Sequence, residues 1–258
     1  MKNVLSFVLY GNNRRYIVGA FINAILAKKI YPDFVMRIYI AHDVPGWAVE
    51  ELKKFPNVEI KIAPAGNKWF ASAWRFLAFS DREVDVVLVR DLDARLTVRE
   101  RRAYEEWLDS GLDFHVMKDH KTGHEVWPMG AGMWGGYADK LRNMATMMGL
   151  YMQEVMRENP LHVHAKSFYY IADQRFLAEK VWVRVEKSCM IHDSFFNTKV
   201  TAPSVTKKFP IELENPANHV GAALDGNDYY IFWGDESLSV KNGGIGKFEY
   251  DLELLEEY

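Results

Sequence analysis

The sequence predicts a single α/β domain with a mixed, mostly parallel central sheet flanked by helices, and three observations predict it. Apolar, β-prone runs alternate with helical patterns through the first 95 residues, and such βαβ units assemble into parallel sheets with right-handed crossovers. The run Val86-Val87-Leu88-Val89 has no polar interruption, as expected of a strand covered on both faces. At 258 residues, 49% of them apolar, with no internal repeat and no low-complexity linker, the chain suits one large core.

In order, residues 4–10 read as the first strand. The run is too short for a signal peptide and ends at Gly11-Asn12-Asn13 without a small-residue cleavage pattern. Those three residues supply turn and cap chemistry for a helix over 14–29. Tyr31-Pro32-Asp33 breaks it, residues 35–41 form the second strand, and a second helix reaches Lys54. Residues 58–63 alternate as a third strand. A largely aromatic helix follows over 68–79, interrupted by Arg75, whose guanidinium needs a partner to offset its desolvation. That partner is either a carboxylate such as Asp91 or Asp93, or the phosphate or sugar of a bound nucleotide.

The fourth strand ends in Arg90-Asp91-Leu92-Asp93. On an extended segment residues i and i+2 point the same way, so Asp91 and Asp93 are expected to emerge together at its carboxyl end, where open α/β sheets bind ligands. Paired carboxylates suit a divalent cation holding a diphosphate, although they can equally begin a loop and cap the next helix. Thr97-Val98-Arg99-Glu100 has capping-box spacing and opens a helix over 98–110, with Arg99, Arg101 and Arg102 as a solvated first turn. A strand at 114–118 leads into Lys118-Asp119-His120 and the irregular Lys121-Thr122-Gly123-His124. The four glycines between Gly130 and Gly136 imply positive φ or close backbone approach by a ligand or strand. Apolar positions at helical spacing over 138–157 make a helix whose methionines fill the core. Asp173 caps a helix, residues 181–185 and 188–194 read as strands, 229–233 as a final strand and 249–258 as a short surface helix.

The formal net charge is −3, which provides no global field to gather nucleic acid. The single cysteine, Cys189, excludes an internal disulfide and fits a reducing compartment. No apolar run of bilayer length occurs, so a soluble, cytoplasmic protein without a transmembrane segment is expected.

Taken in this order, the motifs resemble the GT-A (Rossmann-like) nucleotide-sugar glycosyltransferases with an Asp-x-Asp motif, particularly the family-8-like retaining enzymes. The resemblance spans residues 4–220 and rests on the order of the motifs. Lys118-Asp119-His120, the glycine segment, Asp173-Gln174 and His192-Asp193-Ser194 are also similar to glycosyltransferase-like proteins of large DNA viruses and algae, which implies action in a host cytoplasm. The resemblance implies that residues 1–95 bind the nucleotide, 96–235 serve acceptor and metal, and 236–258 form a C-terminal extension. Tyr10, Gly11, Asn12, Arg75, Asp91, Ala131 and Gly132 would then contact the donor. Asp91, Asp93 and His192 would hold Mn2+ or Mg2+, with His219 the alternative to His192. The pair Asp173 and Gln174 would be catalytic, Asp173 as nucleophile or cation stabiliser in a retaining reaction or as base in an inverting one. The implied partners are a UDP-sugar donor and a glycan or glycoconjugate acceptor, with Trp127 and Trp134 available to stack on sugar faces. His219-Val220-Gly221 lacks the family's spacing and its Lys-Pro-Trp, so no lysine is assigned to the leaving diphosphate. The rival readings are a nucleotidyltransferase, a metal-dependent phosphohydrolase and a catalytically inactive carbohydrate-binding module.

Overall fold

The computed structural model describes residues 1–63, 68–120, 127–158, 171–196, 203–231 and 247–250. Eight strands make one sheet in the order β3-β2-β1-β4-β6-β5-β7-β8. They are β1 (Lys2–Leu9), β2 (Phe34–Ile40), β3 (Val58–Ile62), β4 (Val84–Arg90), β5 (Phe114–Lys118), β6 (Met133–Tyr137), β7 (Cys189–Asp193) and β8 (Val205–Lys207). Neighbours pair in parallel except at β6, which runs antiparallel to both β4 and β5. The expected mixed, mostly parallel sheet is therefore observed.

Alternation along the strands divides the core into two layers. Leu5, Phe7, Val86 and Leu88 pack with α1 (Arg14–Ile30) and α2 (Gly46–Leu52) on one face. Val4, Val8, Val87 and Val89 pack on the other against the helical segment Lys68–Ser80 and α4 (Met144–Glu158). The first helices thus lie on one face and the segment preceding β4 on the opposite one. This places the reversal of winding between β1 and β4, and the crevice outside their carboxyl ends is where such sheets receive ligands.

Four local expectations are corrected. Residues 181–185 are helical, the end of a continuous run, α5 (172–185), that contains a wider turn over Leu177–Trp182. Phe176, Leu177, Val181 and Val185 are all buried along one side of it, a helical spacing that the β-branched composition disguised. The capping box is half formed: Thr97 accepts the Glu100 N–H at 3.2 Å, but the Glu100 carboxylate turns inward to Arg90 and Tyr31. The helix it opens, α3 (Val98–Leu108), also buries Arg99 rather than exposing it. Residues 229–231 make only isolated bridges with Leu224 and Lys247. Positions 232–233, 251–258 and 121–124 lie outside the described residues.

The glycine segment supplies β6. A Cβ on Gly135 would stand 2.5 Å from both the Leu88 side chain and the Val87 carbonyl, so only glycine lets β6 lie this close to β4. Gly135→Ala is expected to cost about 1–3 kcal/mol through overpacking. Urea unfolding of the variant and the parent measures the loss, and equal stability would refute this account of the strand.

Candidate active site

A cleft of about 680 Å3 opens at the carboxyl ends of β1 and β4. Its floor is the turn Asp91–Ala94, closed by the Ala94 N–H donating to the Asp91 carbonyl at 3.3 Å. The two aspartates therefore sit in a turn and not on an extended segment, yet both line the cleft. Helix α1 holds the turn in place. The side-chain amide of Asn23, wholly buried, donates to the Ala94 carbonyl at 2.8 Å and accepts the Leu96 N–H at 3.1 Å. A Cβ on Gly19 would collide with the Leu92 carbonyl, so this glycine admits the turn against the helix. Sequence reading missed both residues. The available signals were an amide on the apolar face of a helix and a glycine in its interior.

Arg75 is the central cation. It is buried, and its guanidinium pairs with Asp91, reaches Asp173 Oδ2 at 3.2 Å and donates to the Arg90 carbonyl at 3.2 Å. Burial acts to lower its pKa, but Asp91 and Asp173 outweigh that and raise it. Burial raises the Asp173 pKa, with Arg75 opposing. Asp173 is not the helix cap expected. It lies in the first turn of α5, and its Oδ1 accepts the Gln174 N–H at 2.9 Å. Asp93 pairs with Arg15 of α1.

Of the expected donor contacts, Tyr10, Arg75, Asp91, Ala131 and Gly132 line the cleft. A Cβ on Gly132 would overlap the Asp91 carboxylate, so this glycine makes room for it. Gly11 and Asn12 do not line the cleft. Gly11 takes φ +72° and donates its N–H to Asp43 at 2.9 Å, leaving Asn12 exposed. Asn13, the α1 cap, lines the cleft instead. Gln174 lines the cleft, but its amide is committed to the loop opposite, accepting from Ala131 N–H and donating to the Met129 carbonyl at 3.3 Å. Those two bonds let it shape the loop that faces Asp173. Trp127 is at the cleft, whereas Trp134 is core, stacked on Phe79 at 4.8 Å between centroids.

His192 also requires correction as a metal ligand beside Asp93. It is fully buried on β7, outside the cleft, with Nδ1 2.8 Å from His115 Nε2 and Nε2 3.1 Å from Glu106. His219, the alternative, does line the cleft, and its Nδ1 is 2.8 Å from the Pro216 carbonyl. That contact requires a proton on Nδ1 and makes Nε2 the acceptor nitrogen of the neutral ring.

As the side chains stand, no three acidic, histidine or cysteine groups among the described residues are gathered to hold a metal ion, because each carboxylate of the turn faces an arginine. The donor chemistry nevertheless fits a divalent cation. The hard oxygens of Asp91 and Asp93 and the imidazole of His219 share one cleft. Among the described residues lining the cleft, three carboxylates, Asp91, Asp93 and Asp173, face the two guanidinium groups of Arg15 and Arg75.

No protein-family profile and no curated protein matches the sequence. Solved structures similar in layout include a glycosyltransferase involved in glycosylation of the major capsid of PBCV-1, at 12% identity and TM-score 0.46, covering 75% of this chain and 82% of that one. Galactosyltransferase LgtC, in complex with donor and acceptor sugar analogues, has 14% identity and TM-score 0.47, with 75% and 74% covered. The 4-diphosphocytidyl-2C-methyl-D-erythritol synthase of Anaerococcus prevotii has 12% identity and TM-score 0.46, with 78% and 92% covered.

Buried histidines give the fold an acid limit. Burial holds His115 and His192 below the ordinary value of 6.5, and pushes His219 down to about 4. The unfolded chain binds these protons first, so the stability they contribute is complete above pH 6.5 and is lost as pH falls below it. Urea midpoints are expected to drop between pH 7.5 and 5.5, a window above the range of ordinary carboxylates, and His115→Phe should shrink the drop. An unchanged pH profile in that variant would contradict the assignment.

Proposed function

We propose that this protein is a glycosyltransferase that moves a sugar from a nucleotide-sugar, a UDP-sugar, to a hydroxyl of a glycan or glycoconjugate. The carrying observation is the convergence, at the switch between β1 and β4, of Asp91, Asp93, Arg75, Asp173, the Ala131–Gly132 segment and His219 around one cleft.

The reaction leaves a diphosphate while positive charge develops on the departing sugar, so a catalyst must oppose two charges of opposite sign within a few ångströms. Arg15 and Arg75 carry guanidinium groups suited to phosphate oxygens. A divalent cation, Mn2+ or Mg2+, would be held by Asp91, Asp93 and His219 and would supply further positive charge at the leaving group. Asp173 is the carboxylate for the other end of the reaction. Its burial strengthens its action on a developing cation, and the Arg75 contact fixes its direction. The closely packed Gly132 and Ala131 backbone, held by Gln174, offers a small-residue wall for the sugar. Trp127 offers a ring for the acceptor.

Calorimetry with UDP tests the reading. MnCl2 is expected to tighten UDP binding about tenfold or more, and Asp93→Ala to abolish the gain. Metal-independent binding, or none, would overturn the reading and favour a binding module or another phosphoryl chemistry. Slow hydrolysis across a panel of UDP- and GDP-sugars then identifies the donor.

A further inference from the structure

One buried carboxylate lies outside the cleft and yet controls a segment of its wall. Asp119 immediately follows β5 and is wholly buried, where an ionised carboxylate persists only with charge-assisted partners. Its Oδ2 accepts from Arg99 Nε at 2.9 Å, and its Oδ1 from Arg99 Nη2 at 2.7 Å and from the Ser194 hydroxyl at the end of β7. Arg99 in turn lies 4.1 Å over the Phe209 ring and donates to Ser194 at 3.0 Å. Oδ2 also accepts the backbone N–H of Val220 at 2.9 Å. Val220 is flanked by His219 and by Gly221, both cleft-lining, and Gly221 has φ +80° with Met133 filling the place of a side chain. The neighbouring His120 packs on the His219 ring at 4.8 Å, and Tyr230 meets it edge-on at 5.1 Å.

We propose that Asp119 is a positioning residue for His219. The Arg99 fork immobilises the carboxylate, the carboxylate fixes the Val220 N–H, and the backbone so fixed sets where the His219 imidazole enters the cleft. Val220 has no polar side chain of its own, so at this point of the wall the backbone is fixed by a hydrogen bond to the charge that follows β5. A charge-assisted bond of this kind resists sliding more than a neutral one. The inference rests on the cation reading of the cleft, because it assigns to Asp119 the orientation of one cation ligand.

Titration of MnCl2 into the UDP-saturated protein, followed by the electron paramagnetic resonance signal of free Mn2+, tests it without turnover. Asp119→Asn removes the charge while keeping the shape. It is expected to weaken Mn2+ binding about tenfold while leaving metal-free UDP affinity within about twofold. Equal loss of both affinities, or Mn2+ binding like that of the parent, would overturn the proposal. The parent and His219→Ala separate the two levels: if the parent itself binds no Mn2+, the cation reading fails, and if His219→Ala binds it like the parent, His219 is no ligand and the proposal fails while the reading stands on Asp91 and Asp93. If His219→Ala weakens binding and Asp119→Asn does not, only the positioning role fails. Should Asp119→Asn not fold, Ser194→Ala decides, since it strips one donor from Asp119 while retaining the Arg99 pair. Mn2+ binding weakened about threefold with UDP affinity kept supports the proposal, and parental affinity overturns it.

Discussion

The site depends on a single buried guanidinium. Arg75 sits in a helical segment whose other inward residues are aromatic or alanine, and a charge taken out of water there is tolerated only with close opposite charge. Asp91 and Asp173 provide it from two other segments, the turn after β4 and the first turn of α5. One desolvated cation thus brings together the chain before the sheet's fourth strand, the acidic turn beyond it and a helix some eighty residues later. Removing Arg75 would leave two acids facing each other without the cation between them.

The same device recurs through the fold. Arg37 bridges Glu59 and Asp81, Arg90 meets Glu100, Arg95 meets Asp228, and Arg99 meets Asp119. Each guanidinium is buried, and each ties segments distant in sequence or anchors a strand end. Aliphatic pairs of equal volume would hold such segments about as well energetically, but a planar fork fixes direction as well as distance. Around a cleft, direction is what matters. Arg95 binds the acidic turn through the Leu92 and Ala94 carbonyls and the 225–228 turn through Asp228, while Leu224 donates to the Asp93 carbonyl at 2.9 Å. The floor of the cleft and its late-sequence wall are therefore one hydrogen-bonded unit.

Close backbone approach is the complementary constraint. Gly19 admits the Leu92 carbonyl, Gly132 the Asp91 carboxylate and Gly135 the β4 backbone. All three lie against the same strand and its terminal turn. The acidic pair is pressed from both sides by chain without side chains, which leaves it few alternative positions.

Much of this was legible in the sequence. The βα alternation, the uninterrupted apolar β4 and the carboxylates ending it specify a covered parallel sheet with its ligand edge, because strand burial and side-chain period are local properties. Glycine crowding announced close approach, though not that an antiparallel strand was the visitor. The tertiary structure alone decided partnership. Arg99 reads as solvated from its helix turn and is buried because Asp119 arrives from β5. His192 reads as a metal ligand from its strand end, and β5 carries His115 beside it instead. Asp91 and Asp93 were identifiable as a pair, but which cations face them depends on α1 and the Lys68–Ser80 segment folding over from earlier in the chain. Sequence period reports which way a side chain points relative to its own element, and only the packing of elements determines what it meets there.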